Sequence, residues 1–468
     1  MKKQSVDSQQ KQWELSGKSL VRILGESHYT PKEFKAALGS PSFWGLMKSM
    51  QPRILPLLNL LMGGIVRSHL PGLDARFRKE CGKGLFSKRC WEIQSYTFSY
   101  LSQTVDGRET EMSGRVTFLN NKEEGTPHQA KTISLHLHQA FLNEEWAPSK
   151  NLMFAPLKVL WDSVVIEPDL QKWGINYGIE PDGGGSAVQM ARQLADCTVA
   201  AMEIMSQHGV SLSPEGYTTN WGSSQNAIPT LMFAKWYDTQ APQWFRQALR
   251  LRSTFSAEGA ADMVELMKFC YERPEDIGIN FVLMLSYFKA FTPEQLGGYR
   301  PEEFFPKWFI DTKFHFEGRE ISLLDAISHY YPQLTDPYIL KIRSFDKIFA
   351  PDMLTADGKM DVNSPKVSTW LSCLKKYNNL EDWTPQHSVY LANSPADDMV
   401  PYDAAYKLYL TLSNQRQNPL MHMLSVPAMR LIPRGGLRQH FIVAFVGQIL
   451  MSLVENPEGM RMFYKPVK

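Results

Sequence analysis

An extended run ends at Gly222 and a helical pattern (Leu231, Met232, Ala234, Trp236) begins just after it, so Gly222-Ser223-Ser224-Gln225-Asn226 must make the turn between them. The pentapeptide reads G-x-S-x-N. It is one residue from G-x-S-x-G, a sharp strand-to-helix turn that lifts a serine hydroxyl above a sheet. A small residue two before the serine lets the backbone cross closely, and the helix that follows aims its first amides at a developing oxyanion. Ser224 is the candidate nucleophile. Ser223 is the poorer one, because Trp221 would then occupy the crowded position two residues before it. Asn226 stands where the second glycine would be, and it has the Cβ that glycine lacks. An ordinary strand-to-helix loop is the alternative reading of these five residues alone.

Composition narrows the function classes. A chain of 468 residues with 43% hydrophobic and 12% aromatic content is one large decorated domain or two domains with a sizeable core. A net charge of +2, with both signs interspersed, argues against a nucleic-acid binder. The five cysteines show no zinc-type or C-x-x-C spacing. Cys81 and Cys90 bracket a short loop that a disulfide would close in an oxidising compartment; the alternative is that all five are free thiols. Met1 to Gln12 lack the apolar core of a signal peptide. Ile54 to Val66 are apolar but too few to span a bilayer, so a buried helix is expected there and no stable membrane insertion.

The order of patterns predicts four regions: a helical N-terminal extension over 1–90, a core over 91–256, an inserted helical cap over 257–384, and the rest of the core over 385–468. Ile93–Leu101 and Met112–Leu119 alternate about an Asp106-Gly107 turn, an antiparallel hairpin at a sheet edge. Ile133–His138, Trp161–Glu167 and Gly216–Trp221 read as core strands, and Phe245–Phe255 holds a further strand candidate. After the Gly183-Gly184-Gly185 break, Val188, Ala191, Leu194, Ala195, Val199, Met202 and Met205 mark a long helix. Strands resume at His387–Asn393 and Met421–Arg430, and an apolar helix follows His440. This alternation predicts an α/β fold with a mostly parallel central sheet flanked by helices. The aromatic-rich insertion either lines a hydrophobic pocket or packs as ordinary core.

A serine nucleophile needs an imidazole to take its proton, and the imidazole needs a carboxylate to fix its tautomer. The chain supplies Ser224, then an acid after a late strand (Asp397 or Asp398), then His440 before the last helix. Each follows a strand, where open α/β sheets place their chemistry. His136 and His138 alternate on one strand face, but two histidines without a third ligand are read as structural, and no metal is expected.

These residues resemble the α/β-hydrolase superfamily, with bacterial secreted lipases and esterases the nearest pattern. Ser394-Pro395-Ala396-Asp397-Asp398-Met399-Val400-Pro401 is similar to the H-G-x-x-D-x-x-V-P segment that carries the acid, and aligning on Val-Pro selects Asp397. Glu167-Pro168-Asp169 with Gly174 and Gly178 looks like P-D-Y-x-G-x-G, with Leu170 at the aromatic position. His138-Gln139-Ala140 falls at the family's His-Gly loop, and Ala147-Pro148-Ser149 also fits. The resemblance implies an ester hydrolase acting through Ser224, His440 and Asp397, with oxyanion amides from Gln225 and from Gln139 or Ala140, and no cofactor. It implies a small ester substrate; a short peptide cleaved by a serine aminopeptidase is the runner-up. A non-catalytic binding protein on the same fold is the rival, motivated by Asn226 and Gln139. Export, with a leader already removed, is the compartment the resemblance implies; a cytoplasmic location is the alternative.

Overall fold

Runs rich in β-branched and aromatic residues become strands when a neighbouring strand takes up their amides and carbonyls. The computed structural model describes residues 15, 18–29, 91–104, 106–121, 127–137, 147–150, 152, 158–159, 162–171, 173–176, 186–259, 261–272, 291–305, 349–397, 399–425 and 440. Among these, nine strands form one mixed sheet: β1 (Leu20–Tyr29), β2 (Trp91–Gln103), β3 (Glu109–Asn121), β4 (His128–Leu137), β5 (Ser163–Pro168), β6 (Val210–Ser223), β7 (Leu251–Ala257), β8 (Ser388–Asn393) and β9 (Met421–Ser425). Their spatial order is β1-β2-β3-β5-β4-β6-β7-β8-β9. β1, β2, β3 and β5 pair antiparallel, and from β5 through β4 to β9 every pairing is parallel. From β4 the chain goes outward to β5 and then returns to the other side of β4 as β6. That reversal is the switch point at which strand carboxyl ends open a crevice.

Helices cover the sheet. α1 (Ala187–Gln207) starts at Ser186, whose hydroxyl accepts the Gln189 amide at 3.3 Å, and it packs on β2, β5 and β6. Ala191, Ala195, Ala200 and Ala201 are fully buried there, small enough to bring the helix close to the strands. Leu194 and Ile204 add larger buried side chains, each worth about 1.5–3 kcal/mol of apolar transfer. α2 (Ala227–Thr239) is buried on every side over its first eight residues, so it is held between sheet and neighbours. Then come α3 (Gln243–Leu249), α4 (Met263–Glu272), α5 (Pro365–Tyr377) and α6 (Tyr402–Leu412).

Several expectations change in the structure. The helical reading of the N-terminal extension fails at Leu20–Tyr29, which is a strand on the outer side of β2. The reason is tertiary: β2 offers an unpaired edge, and Leu-Val-Arg-Ile-Leu pairs with it while leaving Val21, Ile23 and Leu24 about two-fifths exposed. The 93–119 hairpin therefore lies inside the sheet rather than at its edge. The strand expected within Phe245–Phe255 is present as β7 but occupies only its later part, from Leu251. Helix α3 ends when Arg250 adopts a left-handed conformation (φ 52°) and its amide closes on the Arg246 carbonyl; β7 begins one residue later. β6 starts at Val210, well before Gly216, because β4 pairs with it on both sides of an irregularity between Ala130 and Thr132 that absorbs Pro214. Residues 54–66, Cys81, Cys90, Gln139, Ala140, Gly178, Gly183 to Gly185, Asp398 and 441–454 lie outside the described residues.

Candidate active site at the carboxyl ends of the parallel strands

β6 runs straight into the turn. Ser224 follows its last residue with φ 54°, a left-handed conformation that costs a non-glycine residue roughly 1–2 kcal/mol. The turn is tight because Gly222 has no side chain: a Cβ there would sit 2.0 Å from Thr230 Oγ1 and 2.6 Å from the Asn226 carbonyl oxygen. Thr230 Oγ1 donates to that same carbonyl at 2.8 Å, locking the first turn of α2 under the strand. Asn226 sits at φ −93°, so the position asks for no glycine. The departure from G-x-S-x-G is thus compatible with the bend.

Asp397 comes from the loop after β8. Its Oδ1 accepts the amides of Met399 (2.9 Å) and Val400 (3.2 Å), which fixes the carboxylate and leaves Oδ2 for a side-chain partner. That partner is His440, whose Nδ1 lies 2.9 Å from Oδ2. His440 Nε2 lies 2.9 Å from Ser224 Oγ. Both His440 and Asp397 are buried. The three residues named from the sequence therefore form one continuous chain. The Gln225 amide follows Ser224 in the 3-10 turn that leads into α2; the loop of Gln139 and Ala140 lies beyond the described end of β4.

The P-D segment is a scaffold. Asp169 Oδ1 accepts the Ser149 amide at 2.8 Å and Oδ2 accepts the Ser113 hydroxyl. Gly174 lies against the same carboxylate, where a Cβ would collide at 2.1 Å. Arg115, itself buried, donates to the carbonyls of Pro148 and Ser149 and to Ser95 Oγ. Burial pushes the Asp169 carboxyl up, against the pull of these donors. His136 Nδ1 lies 2.7 Å from Glu167 Oε1, and its ring packs 4.2 Å from the Trp221 ring centre. No group of residues that could hold a metal ion occurs among the described residues.

No motif pointed to Glu258. It follows β7 directly, is fully buried, and lies beside Ser224, Asp397 and His440 at the same sheet end. Burial pushes its carboxyl well above the ordinary value; His440 and the nearby Ser223 hydroxyl oppose the shift and Asp397 reinforces it. An acid raised in the folded state binds its proton more tightly there than in the unfolded chain. Stability therefore declines as pH rises from the ordinary glutamate value of 4.5 toward the raised one. Glu258→Gln should raise the thermal unfolding midpoint at neutral pH, and the gain should vanish below pH 4.5. Melting curves of both proteins across pH check this.

No protein-family model matches the chain, and no curated protein matches it by sequence. Solved structures do. A Legionella pneumophila protein described as a hydrolase superposes with a TM-score of 0.60 at 17% identity, over 96% of this chain and 100% of that one. The rice cell wall degrading esterase LipA from Xanthomonas oryzae superposes with a TM-score of 0.62 at 15% identity, over 93% of this chain and 98% of that one. The protein has an α/β-hydrolase fold. Within that fold, the carboxyl ends of β6, β7 and β8 deliver Ser224, Glu258 and the Asp397 loop to one place. No helix of the described residues is long and apolar enough to cross a membrane.

Proposed function

We propose that this protein is a serine hydrolase that cleaves a carboxylic ester through an acyl-enzyme on Ser224. The observation that carries the reading is the unbroken chain from Ser224 Oγ through the His440 ring to the Asp397 carboxylate, with both links at 2.9 Å. In it, His440 Nε2 takes the serine proton as Oγ attacks the carbonyl. The Nδ1 proton is held on Asp397, which supports the imidazolium and selects the reactive tautomer. His440 then returns the proton to the departing alcohol, and water repeats the sequence to release the acid. The negative oxygen of the tetrahedral intermediate rests on the Gln225 amide in the turn just before α2, with the amide of Gln139 or Ala140 as the second donor. In this reading the insertion over 257–384 is the cap of the enzyme.

The ester reading is favoured over peptide cleavage because LipA, which shares the fold, is an esterase. The contact of Ser224 with His440 argues against a binding protein that has lost its chemistry. A fluorophosphonate probe followed by peptide mapping tests the reading. The expected result is one adduct on Ser224, together with hydrolysis of p-nitrophenyl esters. Folded protein that takes neither the probe nor a smaller sulfonyl fluoride would overturn it.

A further inference from the structure

Glu258 is the buried group that this mechanism leaves unused. Across three parallel strands Ser223 pairs with Ala257 and Ala257 with Ala392, so Ser224, Glu258 and the loop to Asp397 leave the sheet side by side. The backbone holds Glu258 there. Its amide donates to the Ala392 carbonyl at 2.6 Å, and its φ of 40° turns the chain back over the strand end. The next carbonyl, that of Gly259, accepts from Asn393 Nδ2 at 3.2 Å, and a Cβ on Gly259 would strike Ala227 at 2.3 Å. The carboxyl is thus set between the serine turn and the acid loop. Among the described residues neither of its oxygens is within hydrogen-bond geometry of a partner, the Ser223 hydroxyl being the nearby donor, although the side chain is fully buried. Among the described residues the charged groups that act on it are His440 and Asp397.

A buried carboxyl without hydrogen bonds is costly, and an apolar or amide side chain would fill the space more cheaply. Its surroundings make its charge conditional. While Asp397 is ionised, two carboxylates compete for one imidazole and Glu258 keeps its proton. Remove the Asp397 charge and the remaining cationic partner is His440.

We propose that Glu258 is a positioning residue acting through His440: a reserve carboxyl that loses its proton to solvent, and supports the imidazolium, when Asp397 carries no charge. The inference rests on the serine-hydrolase reading above.

The test is a double-mutant cycle on the pH dependence of fluorophosphonate inactivation, with Asp397→Asn, Glu258→Gln and the pair. Asp397→Asn should lose about 10²–10⁴ in rate and keep a measurable remainder. Adding Glu258→Gln to it should lower that remainder by a further tenfold or more. It should also move the acid limb to lower pH, because a vanished negative charge no longer raises the His440 pKa. Space-filling alone moves neither plateau nor limb differently in the two backgrounds, so additive effects and coincident limbs would overturn the proposal. Should the pair not fold, infrared spectra decide instead. The protonated-carboxyl band that Glu258→Gln removes should disappear at lower pH in Asp397→Asn than in the wild type; an unchanged pH would overturn it. Wild-type protein that takes no label at Ser224 would sink the hydrolase reading itself. A labelled wild type with additive variants would sink only the role of Glu258.

Discussion

Ser224→Ala should abolish ester hydrolysis, with kcat falling by about 10⁴–10⁶ while the fold persists. Ser224 is the only protein group in the proposed mechanism that forms a bond to the acyl carbon, so no neighbour can replace it. What remains is the rate that binding and the oxyanion amides give to water. Steady-state kinetics on p-nitrophenyl esters, with loss of the fluorophosphonate adduct, measure the effect. A companion change separates chemistry from structure. Ser224 sits at φ 54°, where glycine is at ease and other residues are strained. Ser224→Gly should therefore be equally inactive yet more stable than the wild type by about 1 kcal/mol. An inactive but less stable glycine variant would mean that the serine is there for packing.

The second large effect is on folding. Gly222→Ala should destabilise the protein by about 3 kcal/mol or more, at the upper end of what overpacking costs. The new methyl would meet Thr230 Oγ1 at 2.0 Å and the Asn226 carbonyl at 2.6 Å, and the second is backbone that cannot swing aside. Relief requires the Thr230 side chain to swing off the Asn226 carbonyl and the first turn of α2 to shift away from β6, which carries Ser224 away from His440. A displacement of about 1 Å is enough to cost roughly 10² in rate, so activity should fall with stability. Denaturant unfolding and ester turnover read both. Thr230→Ala in the same chain should recover only part of the loss, because the Asn226 carbonyl stays in place. Full recovery, or a neutral Gly222→Ala, would show that the turn is looser than its contacts indicate.

Some of this site was visible in the chain because its signals are local. A glycine two before a serine, between an extended run and a helical one, states its own geometry. The resemblance of the Val400-Pro401 segment to the family's acid loop selected Asp397 over its neighbour, and in the structure the amides of Met399 and Val400 fold back onto its carboxylate. The Glu167-Pro168-Asp169 run was equally visible, but its meaning was not. Asp169 and Gly174 hold the Ser113 and Ser149 segments together. Glu258 had no signal at all. A single acid after a strand is commonplace, and only burial beside His440 makes it notable.

The sequence by itself determined the alternation of strands and helices, the sharp turn at Ser224, and the order Ser, Asp, His. These follow from side-chain pattern and from backbone preferences that act over a few residues. The tertiary structure alone decided what meets. Ser224 and His440 are 216 residues apart in the chain and 2.9 Å apart in space. Parallel strands bring this about, since each crossover returns the chain to the same end of the sheet and successive strand ends line up. The same long-range pairing made Leu20–Tyr29 a strand, because the free edge of β2 outweighed local preference, and it enclosed Glu258 between two loops that each look ordinary alone. Pairing energies of this kind depend on partners far along the chain, and no window of sequence contains them.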